Sequence, residues 1–162
     1  MSFPARPALW AVSMASAAAV GGAIWAQYHL GMEPCPWCIL QRILFIAVAA
    51  ISLVAAALPW AALRRLLSVM VMALCGGGVA AAYWQHFVAA KSSSCALTLA
   101  DKVITFFALD TRWPSVFEVR ASCADAAANL IGVPFEFWSM ALFALIALVA
   151  LVSALTPARR HA

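Results

Sequence analysis

Four long runs almost free of charge, at 9–28, 39–58, 66–88 and 137–155, take up half of this 162-residue chain. Each has the length that crosses hydrocarbon, which takes about twenty mostly apolar residues in a helix. The composition agrees: 67% of residues are hydrophobic and 10% charged, whereas soluble chains are about half apolar and a quarter charged. A soluble domain of this size has no interior large enough for that much apolar surface. In lipid every backbone polar group must be satisfied within its own segment or a closed sheet. The expectation is an all-α integral membrane protein, a four-transmembrane-helix bundle forming one membrane domain over 1–162. Basic residues are scattered along the chain despite a net charge of +4, which argues against nucleic-acid binding.

Orientation follows from the arginines. Arg6 precedes the first run, Arg64 and Arg65 separate the second from the third, and Arg159 and Arg160 follow the fourth. The positive-inside rule makes that side cytoplasmic and puts both termini there. The loops 29–37 and 89–136 then face outward. The first run also has features of a cleavable leader, but it is longer than a signal core, so retention is expected. Trp10, Trp25, Tyr28, Trp37, Trp60, Trp84 and Trp138 stand near the ends of the runs, where aromatic rings anchor at the headgroups. Gly76, Gly77 and Gly78 let helices approach closely, and Cys75 beside them reads as a small buried hydrophobe.

The loop 89–136 contains Leu97, Val103, Ile104, Phe106, Phe107, Trp113 and Phe117, too apolar for a solvated linker. A segment lying on the membrane surface, partly as amphipathic helix, accounts for them, as does packing onto the tops of the spans.

Of five cysteines, Cys35, Cys38, Cys95 and Cys123 fall on the outer side and Cys75 within a span. An even number facing an oxidising compartment reads as two disulfides. The simplest pairing joins Cys35 to Cys38 and Cys95 to Cys123, although four cysteines allow three connectivities. A Cys95–Cys123 bridge closes enough chain to act as a staple, whereas Cys35–Cys38 closes almost none. Redox or metal chemistry suits the second spacing better. Zinc would call for a second tight knuckle, and c-type haem for a histidine where Ile39 stands, so the metal reading fails.

The stretch "EPCPWCILQR" sharpens the redox reading. Pro34 and Pro36 favour a helix start there, which places Cys38 in the first turn, where the helix terminus favours a thiolate. Arg42, one turn further on, adds a permanent positive charge. An arginine just inside a span is costly unless it snorkels or has a task. A thiolate at the membrane edge suits a lipid-soluble electron acceptor, of which a quinone is the commonest, and Arg42 suits the charge that develops on reduction.

At these residues the sequence resembles the disulfide bond formation protein B (DsbB) family of bacterial inner membranes, over essentially the whole chain. The likeness rests on the four spans, the "CPWCILQR" motif and the Cys95 and Cys123 pair in the long loop. It implies that the outer loops are periplasmic and that the chain reoxidises a soluble DsbA-like thiol oxidase. Electrons would pass to ubiquinone or menaquinone, sustaining disulfide formation in exported proteins. By position, Cys95 is the sulfur that the partner's thiolate attacks, Cys123 its companion that exchanges with Cys35, and Cys38 the thiolate beside the quinone. Arg42 is the quinone-side arginine, and His86 matches a histidine near that site. Trp37 departs from the aliphatic residue usual there, and Cys75 lies outside the four-cysteine set.

DsbA-type oxidants lie near about −120 mV and ordinary structural disulfides below about −300 mV. Relaxed bridges therefore cannot oxidise such a partner unless quinone reduction draws the exchange forward. The competing class is a non-catalytic membrane scaffold whose bridges only fasten its loops. A reductive enzyme resembling vitamin K epoxide reductase is the alternative within the redox class.

Overall fold

The structure, a computed structural model, describes residues 5–91, 98–126 and 128–156. Cys95 and Leu97 lie outside the described residues, as do Arg159 and Arg160. Among the described residues four helices are long and apolar enough to cross a membrane: α1 (Ala5–His29), α2 (Pro36–Ala57), α3 (Ala61–Phe87) and, after the shorter elements, α7 (Phe135–Leu155). A short 3-10 turn, Ala89–Lys91, extends α3. The helices start earlier than the apolar runs, because backbone hydrogen bonding continues through interfacial residues whatever their polarity. For the same reason Trp37 belongs to α2 and not to the loop.

α3 packs along α7, α1 along α2, and α2 along α3, while α1 also meets α7 and closes the bundle. Its middle is apolar, with Val48, Val71, Cys75 and Phe143 all fully buried. Phe45 and Phe143 stack with centroids 3.8 Å apart. Of the three adjacent glycines only Gly78 is in close contact: a Cβ there would stand 2.6 Å from the Phe143 ring, whereas Gly76 and Gly77 have open space. Cys75 is a packed hydrophobe, as expected.

The two ends differ. At one, Arg6 Nη2 donates to Leu58 O and Arg65 Nη2 to Thr156 O, tying the start of α1 and the end of α7 to the α2–α3 connection. At the other, the long loop folds into α4 (Leu99–Phe106), α5 (Leu109–Arg112), α6 (Pro114–Phe117) and a small hairpin of β1 (Asn129–Leu130) and β2 (Val133–Pro134). A capping box starts α4: Asp101 N–H donates to Thr98 Oγ1 and Thr98 N–H to Asp101 Oδ2. The hairpin turn has Ile131 and Gly132 at positive φ, the backbone of a two-residue hairpin; Trp138 Nε1 donates to Leu130 O behind it.

The loop's apolar residues divide into two groups. Ile104 and Phe117 are buried against Ile39 at the head of α2. Phe106, Phe107 and Trp113 remain exposed on the outside of the bundle. Most span-end aromatics are also exposed, as anchors would be, but Trp37 is buried beside the sulfurs and tilts against Trp84, centroids 6.4 Å apart.

Candidate redox site

Local sequence sets the first sulfurs. Cys35 is the N-cap of α2 and Pro36 occupies its first turn, where a missing N–H costs nothing. The cap bond comes from a thiol: Cys38 N–H donates to Cys35 Sγ at 3.4 Å. One turn of helix thus folds the two sulfurs together, and their Sγ atoms stand 2.9 Å apart. Cys35 is fully buried and Cys38 partly so.

The third sulfur arrives from the loop. Pro34 O accepts from both Arg120 N–H (3.0 Å) and Ala121 N–H (3.3 Å), which pins the segment just before Cys123 to the segment just before Cys35. Cys123 packs with Cys35, Cys38 and Trp37 in one cluster. Around it, Tyr28 Oη donates to Ser115 O, and the Arg120 guanidinium lies 5.7 Å from the Tyr28 ring centroid. The neighbouring Cys123 and Cys38 sulfurs, together with burial, push the Cys35 thiol pKa upward. The hydrogen bond from Cys35 pulls Cys123 below the ordinary thiol value against the opposing effect of burial, helped by the Trp37 backbone.

Cys35, Cys38 and Cys123 stand together as free thiols in this structure, with Cys35 between the other two. A sulfur between two neighbours can exchange with either. Cys95, the other expected member of the set, lies outside the described residues.

On its other side Cys38 faces a cavity of about 300 Å³. The walls are mostly apolar, with Trp25, Leu30, Phe45 and Leu142 among them, and the polar groups are few: Glu33, Cys38, Gln41, Arg42, Gln85, Glu136 and Ser139. Arg42 is buried and uses its guanidinium as a clasp. Nη1 donates to Gln27 Oε1 and to Val116 O, each at 2.8 Å, and Nη2 to Ala23 O at 3.3 Å. The arginine therefore joins α1, α2 and the loop that brings Cys123, a wider task than the charge expected from sequence, and it does not snorkel outward.

A second polar chain crosses three helices. Gln85 Nε2 donates to Cys38 Sγ at 3.3 Å, Gln41 Nε2 to Gln85 Oε1 at 2.7 Å, and Ser139 Oγ to Gln41 Oε1. Sequence reasoning missed Gln27, Gln41, Gln85, Glu136 and Ser139. The available signal was the presence of amides and a carboxylate inside or beside apolar runs. His86, expected next to the acceptor, is not on the cavity wall; its Nδ1 lies 2.6 Å from Glu136 Oε1, and Glu136 is the wall residue.

The geometry defines a class: a multi-pass membrane protein with a cluster of three sulfurs at one end of a four-helix bundle, beside a mostly apolar cavity. Residues 5–153 match the family model described as disulfide bond formation protein DsbB. Among curated relatives, disulfide bond formation protein B 1 of Pseudomonas entomophila (strain L48) is 31% identical over 79% of this chain and 77% of its own length. Disulfide bond formation protein B 2 of Burkholderia lata is 34% identical over 87% and 83%. The protein of that type from Pseudomonas fluorescens (strain Pf0-1) is 31% identical over 90% and 85%. The chain belongs to the DsbB family, and its function lies in disulfide bond formation.

Proposed function

We propose that this protein is a thiol:quinone oxidoreductase of the bacterial inner membrane. On this reading it reoxidises a periplasmic DsbA-type dithiol oxidase and passes the electrons to a membrane quinone. One observation carries it: Cys35 lies between Cys123, which the loop delivers, and Cys38, which faces the cavity. The arginines at the opposite end of the bundle support the outward placement of the sulfurs.

The exchange steps balance in sulfur chemistry alone. The partner's thiolate attacks Cys95 of a Cys95–Cys123 disulfide, forming a mixed disulfide and releasing the Cys123 thiolate. Cys123 attacks Sγ of Cys35 in a Cys35–Cys38 disulfide, so that a Cys123–Cys35 bond forms and Cys38 leaves as a thiolate. The Trp37 backbone, which favours ionised Cys123, helps the attack, and the α2 N-terminus and the Gln85 amide receive the charge left on Cys38. The partner's second thiolate then resolves its mixed disulfide. Cys95 attacks the Cys123–Cys35 bond, restoring the loop pair and leaving Cys35 and Cys38 reduced.

The cavity suits a quinone. It is apolar enough for a prenylated ring, and Ser139, Gln41 and Gln85 form a hydrogen-bonded chain on its wall that ends on Cys38. A bound quinone supplies the two-electron acceptor that turns the Cys35–Cys38 dithiol back into a disulfide. Gln41, Gln85 and Arg42 are placed to hold and orient its oxygens, and the clasp on Gln27 and Val116 keeps Arg42 in place.

The test is turnover in detergent or nanodiscs with a reduced DsbA-type partner and a soluble short-chain quinone. Turnover is expected, and Arg42→Ala should raise the quinone KM on the order of tenfold, one lost charged contact, while the partner KM stays unchanged. Absence of quinone-dependent partner oxidation in the parent protein would overturn the assignment.

A further inference from the structure

We infer that Glu136 delivers a proton to the acceptor in the cavity and that His86 reloads it from the solvent edge. This rests on the quinone reading above and assigns it a proton path.

Glu136 lies in the first turn of α7 between Phe135 and Phe137, and its side chain is 6% exposed. A carboxyl so placed is costly and points to a function by default. Glu136 is on the wall of the cavity that Cys38 faces. His86 Nδ1, 2.6 Å from its Oε1, belongs to a side chain that is 29% exposed. Two rings flank the imidazole, Phe87 at 4.8 Å and Phe137 at 4.6 Å between centroids. The pair therefore links a partly exposed imidazole to the cavity wall, with an aromatic ring on either side of it.

The chemistry requires such a link. Turning a Cys35 thiol and a Cys38 thiolate into a disulfide releases two electrons but only one proton. A quinone takes up two of each to become a hydroquinone. The balanced step is Cys35 thiol, Cys38 thiolate, protonated Glu136 and quinone giving the Cys35–Cys38 disulfide, Glu136 carboxylate and hydroquinone. The proton on His86 Nδ1 then passes to Glu136, and Nε2 takes another from water.

The other titratable groups on the cavity wall do not fit the role. Cys38 is the electron donor, Arg42 keeps its proton throughout, and Glu33 is exposed at the rim. α1 and the β1–β2 hairpin bring no titratable side chain to the wall, and Lys91 lies over the far Phe87 ring, 5.7 Å from its centroid.

The full-length protein in nanodiscs tests this with ubiquinone-1, using the parent, Glu136→Gln and His86→Ala. Equilibrium quinone binding should stay within about twofold in both variants, while single-turnover electron transfer from the reduced protein falls on the order of a hundredfold. The lost rate should return to His86→Ala, and not to Glu136→Gln, when free imidazole is added. In quinone-free protein, the 15N resonance of His86 Nδ1 should move on Glu136→Gln, reporting the hydrogen bond independently of turnover. Equal rates in the parent and Glu136→Gln across pH would overturn the proposal alone, as would loss of binding that matches the loss of rate. A parent protein that neither binds nor reduces the quinone would overturn the acceptor reading along with it.

Discussion

Cys38 and Cys75 are both sulfurs on membrane-length helices, and the two regions around them show what separates a reactive sulfur from a packed one. Cys75 lies midway along α3, fully buried and packed with Val48, Val71, Phe143 and Ile146. Cys38 lies in the first turn of α2, with Cys35 Sγ at 2.9 Å, the Gln85 amide at 3.3 Å and a cavity on its open side. Apolar surroundings disfavour the charged form of a thiol, whereas a helix terminus and hydrogen-bond donors favour it. Placement among polar partners, more than burial, marks the reactive sulfur.

The sharpest way to break that comparison is to exchange the two roles. Cys38→Ser should lower quinone-linked turnover by about three orders of magnitude or more, the scale seen when an essential nucleophile is lost. Cys75→Ala should leave turnover intact and cost about 1 kcal/mol of stability, from the small cavity it opens. Partner oxidation with quinone, alongside unfolding in mixed micelles, measures both.

A second test concerns the packed region alone. Gly78→Ala puts a methyl group 2.6 Å from the Phe143 ring and should destabilise the bundle by about 1–3 kcal/mol, the usual cost of overpacking. Gly76→Ala, with nothing within 4 Å, should not. Equal unfolding midpoints for the two would contradict the close approach of α3 and α7.

At the sulfur end, Gln85→Leu removes the amide that donates to Cys38 and leaves the Gln41 amide without its acceptor. Single-turnover electron transfer should slow about tenfold, matching a loss of about 1.4 kcal/mol within the range for an unsatisfied buried group. Retention of the parent rate would show that the network is only scaffolding.

The smallest expected effect is a shift in a pH profile. In the reduced protein the Cys35 bond holds Cys123 below the ordinary thiol value. Cys123 should therefore alkylate readily at pH values below that value and lose reactivity only as pH falls through its lowered pKa. Cys35→Ala should move that midpoint upward, read by mass spectrometry of the Cys123 peptide. An unmoved midpoint would show that the two sulfurs do not touch.

How far the sequence alone leads also differs between the regions. The four spans were legible because an apolar run of bilayer length has few other uses, and Pro36 marked where α2 begins. Helix ends were less so, since hydropathy fades at the interface while the backbone hydrogen bonds continue. The Gln41–Gln85–Ser139 chain was not legible, because its members come from three helices whose mutual rotation no local pattern encodes. Glu136 fell at a loop boundary when judged by hydropathy, and only its burial reveals its role. The Cys123–Cys35 contact reaches across α2, α3 and most of the long loop, and spacing alone left three pairings open. Family likeness pointed to their exchange, and the Pro34 carbonyl bonds give the contact a physical cause.

The most direct measurement is an anaerobic single turnover of fully reduced protein with a short-chain quinone, followed by disulfide mapping. The account expects the first equivalent of quinone to be reduced as the Cys35–Cys38 bond forms, with no reduction on that timescale in Cys38→Ser. Quinone reduction at the parent rate in Cys38→Ser, or a first bond that excludes Cys38, would contradict it.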